Sequence, residues 1–324
     1  MSYRKNRKGT SVYRVKNWPQ YNKVLKNRGK IVFMITENLE KSWYVPSFEK
    51  QVGGQFEYSD FTVETCLSIK KLLRLGLRQT QGFMEGLFIQ TGINLKVPDY
   101  SILSRRAKEL NVKIKRYKDK DRESVPKDIT VKVDSTGLKF YGEGEWMNEK
   151  HGSKVRKAWR KAHIIIDESG TVVSADLTDN TVSDASAVHG MLSKVDENID
   201  TFMAVGVYDQ EPLHDYLETK YPGINIITPP RKDAVLSPDA ANNPTRRDKY
   251  IMKIKDDGRD LWALKSGYSK RNSVENTMYR YKTIFGGKLD LKNIQSQKTE
   301  FMISCNNLNI MTSLGMPESY KITQ

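Results

Sequence analysis

The run Ile129-Thr130-Val131-Lys132-Val133-Asp134 alternates apolar and polar side chains and stops on an acid. Such alternation describes a strand with one face in a core. It predicts a strand over 129–134, a turn or bulge at Ser135, Thr136 and Gly137, and a second strand from Leu138. The stretches 164–166 and 171–177, joined by Asp167-Glu168-Ser169-Gly170, predict a hairpin. Buried strands are expected over 201–207 and 224–227, helices over 183–194 and 211–221, and a polar loop over 233–250. Gly286 and Gly287 precede a final helix near 296–312. Strands, then strand–helix alternation, then helices define an α/β chain with a mixed sheet and flanking helices.

Within that frame one helical stripe stands out: Tyr268, Arg271, Glu275 and Lys282. Glu275 and Lys282 are seven apart and share a helix face, which Arg271 joins if the helix already runs there. A carboxylate framed by Lys, Arg and Tyr can hold a cation while the bases hold a phosphate backbone. A solvated face with Arg–Glu and Glu–Lys pairs has the same spacing. Spacing alone leaves both open.

The segment before the sheet has a different period. Val63, Cys66, Leu67, Ile69, Leu72 and Leu73 line a first helix ending near Gly76, and a second runs over 78–91 to Gly92. Asp99 or Ser101 can cap a third helix carrying Ser101, Ser104, Arg105, Arg106 and Lys108. This small all-α unit resembles a helix-turn-helix, with Arg105, Arg106 and Lys108 as DNA-binding candidates; a three-helix unit with a wet basic face is the alternative. The charged stretch 113–127 reads as a linker. The expected division is 1–61, a basic arm with short elements; 62–112, the helical domain; 113–127, the linker; and 128–324, the sheet domain. Residues 1–36 hold no acid and ten Lys or Arg, the pattern of a flexible phosphate-binding arm, with Trp18, Tyr21 and Leu25 marking a short helix and 30–35 a strand.

The balance of 54 Lys and Arg against 39 Asp and Glu leaves +15 on 324 residues, which expects an anionic partner, nucleic acid before membrane. No run of 18 apolar residues and no leader is visible, and Cys66 and Cys305 read as buried free thiols of a reducing compartment. The expected location is cytoplasmic and nucleoid-associated. His151, His163, His189 and His214 are scattered without zinc spacing, and His163, just before an apolar strand, reads as structural or DNA-facing. Glu143 and Glu145 lie in a Gly-broken segment and read as structural. The basic block 150–161 suits either a DNA track or a solvated hairpin.

Several blocks carry a resemblance: Val133-Asp134-Ser135-Thr136-Gly137-Leu138-Lys139, Tyr141-Gly142-Glu143-Gly144-Glu145-Trp146, Trp159-Arg160-Lys161 with His163, and Pro229-Pro230-Arg231. With the Tyr-x2-Arg-x3-Glu-x6-Lys spacing at 268, 271, 275 and 282, the chain resembles DDE-type insertion-sequence transposases of the insertion sequence 5 family. The resemblance implies a ribonuclease-H-like core in which three carboxylates hold two Mg²⁺ ions, with Mn²⁺ as substitute. It implies Asp134 and Glu275 as metal ligands, and Tyr268, Arg271 and Lys282 as contacts to DNA. The implied activity is cleavage of double-stranded DNA at terminal inverted repeats and strand transfer into target DNA, by a homodimer or larger assembly.

The second acid departs from the pattern. Where the family has Asp-Gly-Ala-Tyr-Asp, this chain reads Val205-Gly206-Val207-Tyr208-Asp209. Asp209 is the remaining catalytic candidate, yet four extended residues put it roughly 13 Å along the chain from position 205. It reads more simply as the start or cap of the following helix, which holds Leu213 and Leu217. The resemblance therefore also implies the alternative of a catalytically impaired or domesticated DNA-binding relative.

Overall fold

The computed structural model describes residues 12–30, 39–46, 56–117, 128–140 and 159–322. The expected strand over 30–35, Glu143, Glu145, His151 and most of the basic block 150–161 lie outside the described residues.

The chain opens with β1 (Val12–Val15) and α1 (Trp18–Arg28). Both dock onto the far end of the chain. The strand pairs antiparallel with β8 (Ser319–Ile322), and Arg28 donates to the Met311 and Gly315 carbonyls at 3.2 and 2.6 Å. The expected flexible arm is corrected here, since 12–28 is folded against the C-terminal segment. Short α2 (Leu39–Trp43) then joins α3 (Asp60–Leu73), α4 (Leu77–Thr91) and α5 (Tyr100–Glu109) around one apolar core that includes Trp43, Val63, Cys66, Phe88 and Leu103. Punctuation follows the sequence: Gly92 takes φ 71° after α4, and Asp99 accepts from Ser101 N at the start of α5. Arg74, at φ 54°, ends α3 in a left-handed conformation that non-glycine residues seldom adopt.

Arg106 is turned inward, away from Arg105 and Lys108. It is 3% exposed, donates to Tyr58 O at 2.8 Å, pairs with Asp60 and lies 3.8 Å over the Phe56 ring. Arg106→Ala strands the Tyr58 carbonyl and is expected to cost about 2 kcal/mol, a few degrees of Tm. The same assay on exposed Arg105→Ala should show no shift; equal melting of both variants would sink this assignment.

The sheet is built on β2 (Asp128–Phe140), with β3 (Trp159–Ile166), β4 (Val172–Asp179), β5 (Asn198–Met203), β6 (Asn225–Ile227) and β7 (Lys288–Leu289). No turn breaks β2. Its register with β3 runs unshifted from Lys132 beside Ile166 to Lys139 beside Trp159. The expected turn at 135–137 fails because Gly137 serves packing; a Cβ there would meet the Trp159 ring at 3.3 Å. The order is β4-β3-β2-β5-β6, antiparallel through β3 and β4 and parallel through β5 and β6, with β7 pairing with the far end of β2. That order and polarity are those of a ribonuclease-H-like sheet.

Helices cover both faces. Beneath Val131, Val133 and Ile165 lie α6 (Asp184–Leu192) and α7 (Glu211–Lys220). The expected loop 233–250 in part becomes α8 (Arg246–Asp257), because Thr245 and Asp248 form a capping box. Next comes α9 (Arg259–Lys265), whose buried Trp262 packs on Met203 and Ile227. The other face carries α10 (Asn272–Phe285) and α11 (Ile294–Ser313) against Leu138, Ile164 and Leu177. The latter helix also fixes the start of the expected linker, with Asn306 bonding Lys113 O and Lys115 N at 2.9 and 2.8 Å. A buried Lys71–Glu300 pair at 2.6 Å ties α3 to α11. Both cysteines are free and buried, and no helix among the described residues is long and apolar enough to cross a membrane.

Candidate active site

Alternation along β2 sends Lys132, Asp134 and Thr136 to the face that α10 covers. A 3-10 turn, Tyr268–Arg271, runs directly into α10, so the Tyr–Arg–Glu–Lys stripe is helical throughout. Arg271 pairs with Glu275 one turn on, and its other nitrogen, Nη1, donates to Asp134 Oδ2 at 3.1 Å. One guanidinium therefore bridges the acid of the strand and the acid of the helix. Two turns further, Lys282 Nζ donates to Thr136 Oγ1 at 2.6 Å. Tyr268 packs between Trp262 and Arg271, each 5.6 Å away. The stripe lies along β2, with Arg271 and Lys282 bonded to that strand and Glu275 reaching solvent.

Burial shapes the charges. It pushes the Asp134 carboxyl above the usual carboxylate range, against the lowering pull of the Ser135 N–H and Arg271. Burial works against the Arg271 charge as well, but its bond to Glu275 and the nearby charges hold it above its ordinary value. Glu275 keeps 55% of its side chain exposed and opens the seam to solvent. Lys132 is buried with Nζ 3.0 Å from Ser273 Oγ, and desolvation lowers its pKa. Lys132, Thr136 and Ser273 were missed as site residues. The signal for the first two was present, as they alternate with Asp134 on a strand whose other face is apolar.

Asp209 does not join the acid pair. Its side chain is 2% exposed, accepts from Arg247 Nε at 2.9 Å and lies 4.0 Å from His214 Nε2. Gly206 opens the 3-10 turn Gly206–Tyr208 against Pro229, whose carbonyl a Cβ would meet at 2.8 Å. This close approach sets the Pro229-Pro230-Arg231 block against the segment where the second acid departs from the pattern. Val205 ends the extended segment, half-buried against the core. Lys132 neighbours Met203 in the β2–β5 register, and extending that pairing by two residues brings Asp134 and Val205 to one level. Of the remaining candidates, Arg105 and Lys108 are exposed on α5. His163 is fully buried with Nε2 2.8 Å from Thr178 Oγ1, so it belongs to the sheet and not to a DNA face.

The donor set tests what metal it suits. The Arg271 guanidinium stands where a cation shared by Asp134 and Glu275 would stand. Two carboxylates suit one hard divalent ion that keeps several waters. They do not suit the two ions that three acids hold, with Val205 at the third position and Asp209 engaged elsewhere. Among the described residues, no three His, Cys, Asp or Glu side chains are grouped to hold a metal.

The central strand of the mixed sheet thus delivers an acid to a helix-borne acid and base. Two family models, both described as "Transposase DDE domain", match the chain, one over residues 26–143 and the other over 126–310. The second spans more than half of the sequence, and the chain belongs to the DDE-domain transposase family. Among solved structures, the Drosophila P element transposase strand transfer complex is similar at 11% identity, covering 85% of this chain and 71% of that one, with a TM-score of 0.29. That likeness is too distant to carry an argument.

Proposed function

We propose that the chain is a DNA transposase of the insertion sequence 5 kind, binding terminal inverted repeats and cutting and joining DNA at the Asp134–Glu275 site. The observation that carries this reading is the bridge from Asp134 through Arg271 to Glu275, with Lys282 alongside. Asp134 and Glu275 would hold one Mg²⁺, or Mn²⁺ in its place. When bound, such an ion supplies charge neutralisation at a scissile phosphodiester and a more acidic water. Arg271 and Lys282 grip the phosphates of the element end, Tyr268 braces Arg271 by stacking, and Thr136 positions the Lys282 ammonium. Arg105 and Lys108 contact duplex DNA from α5. The working division is an arm over 1–61, a helical DNA-binding domain over 62–112, a linker over 113–127 and the catalytic domain over 128–324. Two ends must be joined, so the acting form is a dimer or larger on DNA, in the cytoplasm.

Val205 favours a second reading, a catalytically impaired copy that binds DNA and cuts it slowly or not at all. The test is cleavage of labelled inverted-repeat duplex in Mg²⁺ and Mn²⁺, with wild type, Asp134→Asn and Glu275→Gln. The transposase reading expects cleavage by the wild type and a loss of about a hundredfold in each variant, since several kcal/mol of charge stabilisation goes with a ligand. Tight binding without cleavage in either metal would sink it for this copy and leave the second reading.

A further inference from the structure

Where α1, α10 and α11 meet, two arginines stand together without an acid. Arg28, at the end of α1, donates through Nε to Met311 O at 3.2 Å and through Nη2 to Gly315 O at 2.6 Å. These carbonyls belong to the last turn of α11 and the bend just after it. Arg280, on α10, sets Nη1 and Nη2 on one hydroxyl, Thr312 Oγ1, each at 3.2 Å. Thr312 follows Met311 directly, so both guanidiniums converge on the same turn. Among the described residues neither pairs with a carboxylate, and the charged neighbour that acts on Arg280 is Arg28. Burial, with that repulsion added, brings the Arg280 pKa down to about 10. A guanidinium still keeps its proton at neutral pH, so the charge is not shed as a buried lysine's can be. The carbonyls at the negative end of α11 take up part of the Arg28 charge, while Arg280 reaches a single neutral hydroxyl. Two half-buried like charges with no carboxylate between them call for an anion from outside the chain.

The site exists only while the N-terminal element is docked. None of the residues of α1 is buried. The element is held by the β1–β8 ladder, by Asn17, which donates to Met316 O at 3.3 Å and accepts from Glu318 N at 2.8 Å, and by Val24 against Gly315. That last approach is close, since a Cβ on Gly315 would meet Val24 Cγ2 at 2.8 Å. Undocking carries Arg28 away and leaves Arg280 with its hydroxyl alone. We propose that Arg28 and Arg280 form a site for one small tetrahedral oxyanion, of the inorganic phosphate or sulfate class, which locks the N-terminal element onto the helix that carries Glu275. The donors fit such an ion, because each planar guanidinium offers parallel N–H groups to a pair of oxygens and two forks engage different pairs. The charges fit as well: two cations match one divalent anion, whereas a nucleic-acid backbone is met by a row of bases. The inference stands apart from the transposase reading.

The test is melting of the full chain against inorganic phosphate, with sodium chloride adjusted to hold the ionic strength constant. Phosphate also stabilises folded chains in general by exclusion from their surface, so Arg280→Met is the comparison. Wild type is expected to gain Tm along a saturating curve with a half-point of about 1 mM, and Arg280→Met to show only a shallow, unsaturated rise. Arg280→Lys, which keeps the charge without the fork, should respond more weakly than wild type. Because the ion binds the docked element alone, amide exchange over 12–28 should slow by the factor 1 + [phosphate]/Kd, about elevenfold at ten times the half-point. Equal curves for wild type and Arg280→Met mean an adventitious ion only and overturn the site. Should Arg280→Met fail to fold, titration calorimetry of the wild type decides, and no saturable heat up to about twenty times the expected half-point overturns it. A last titration repeats the phosphate series with saturating duplex DNA. Unchanged phosphate affinity supports the free ion, and displacement by the duplex overturns that choice in favour of a backbone phosphate.

Discussion

Val205→Asp is expected to raise metal-dependent cleavage of inverted-repeat DNA by about a hundredfold or more, with DNA affinity unchanged. Position 205 lies two residues past the end of the neighbouring parallel strand, and extending the Lys132–Met203 pairing by two residues brings it level with Asp134. The backbone at Val205 is still extended, at φ −73° and ψ 163°, so a carboxylate there starts from the end of the extended segment. A third acid allows a second cation, and charge stabilisation of several kcal/mol converts at tenfold per about 1.4 kcal/mol. The cost is local. Val205 is half-buried against the core, and giving up that packing removes about 1 kcal/mol and a few degrees of Tm. Single-turnover cleavage with Mg²⁺ and Mn²⁺ reads the gain, and Val205→Asn, which keeps the shape without the charge, should show almost none of it. A variant no faster than wild type would remove position 205 as the missing ligand and, with it, the basis of the impaired-copy reading.

Asp209 belongs to the same question from the other side. Buried and paired with Arg247, it is a structural acid in this fold. The sequence offered Asp209 as either a ligand or a helix start, and neither describes it. Its partner lies 38 residues on, in a helix that grows from a stretch read as loop. Non-local pairing of this kind leaves no periodic trace. Arg106 failed to be legible for a like reason: charge on a short helix reads as a wet face, and its partners, the Tyr58 carbonyl and Asp60, precede it by more than 40 residues. The acid pair was legible because each half has its own local signal, alternation for Asp134 and helical spacing for Glu275. What alternation could not tell is that the polar face of β2 meets α10 instead of water, so Lys132 and Thr136 went unread. Gly137 shows the limit at a single residue. Glycine signals a break in sequence, but here it makes room for the Trp159 ring within an unbroken strand.

Arg271→Gln is expected to bind Mn²⁺ about tenfold more tightly than wild type in the absence of DNA. The guanidinium that bridges Asp134 and Glu275 competes with any cation for the same two carboxylates, and at 3.1 Å it is a strong competitor. Two unit charges at such a distance attract by about 5 kcal/mol at an effective dielectric near 20, so losing about a quarter of that already gives tenfold. Metal binding to the wild type then becomes coupled to DNA, because a phosphate that draws Arg271 outward frees the acids. The variant should also melt earlier in chelator, since a half-buried Asp134 is left facing Glu275 without a counter-ion, and should recover more Tm on adding Mn²⁺ than wild type does. Arg271→Lys separates charge from geometry, because a single ammonium keeps the charge but lacks the planar fork that reaches both acids. It should fall between wild type and Gln. Titration calorimetry and melting curves give both readouts without any turnover, and Asp134→Asn supplies the control in which binding is lost whatever occupies position 271. If Arg271→Gln gained no Mn²⁺ affinity, the guanidinium would be a fixed strut between strand and helix, and the coupling of metal to DNA would need another cause.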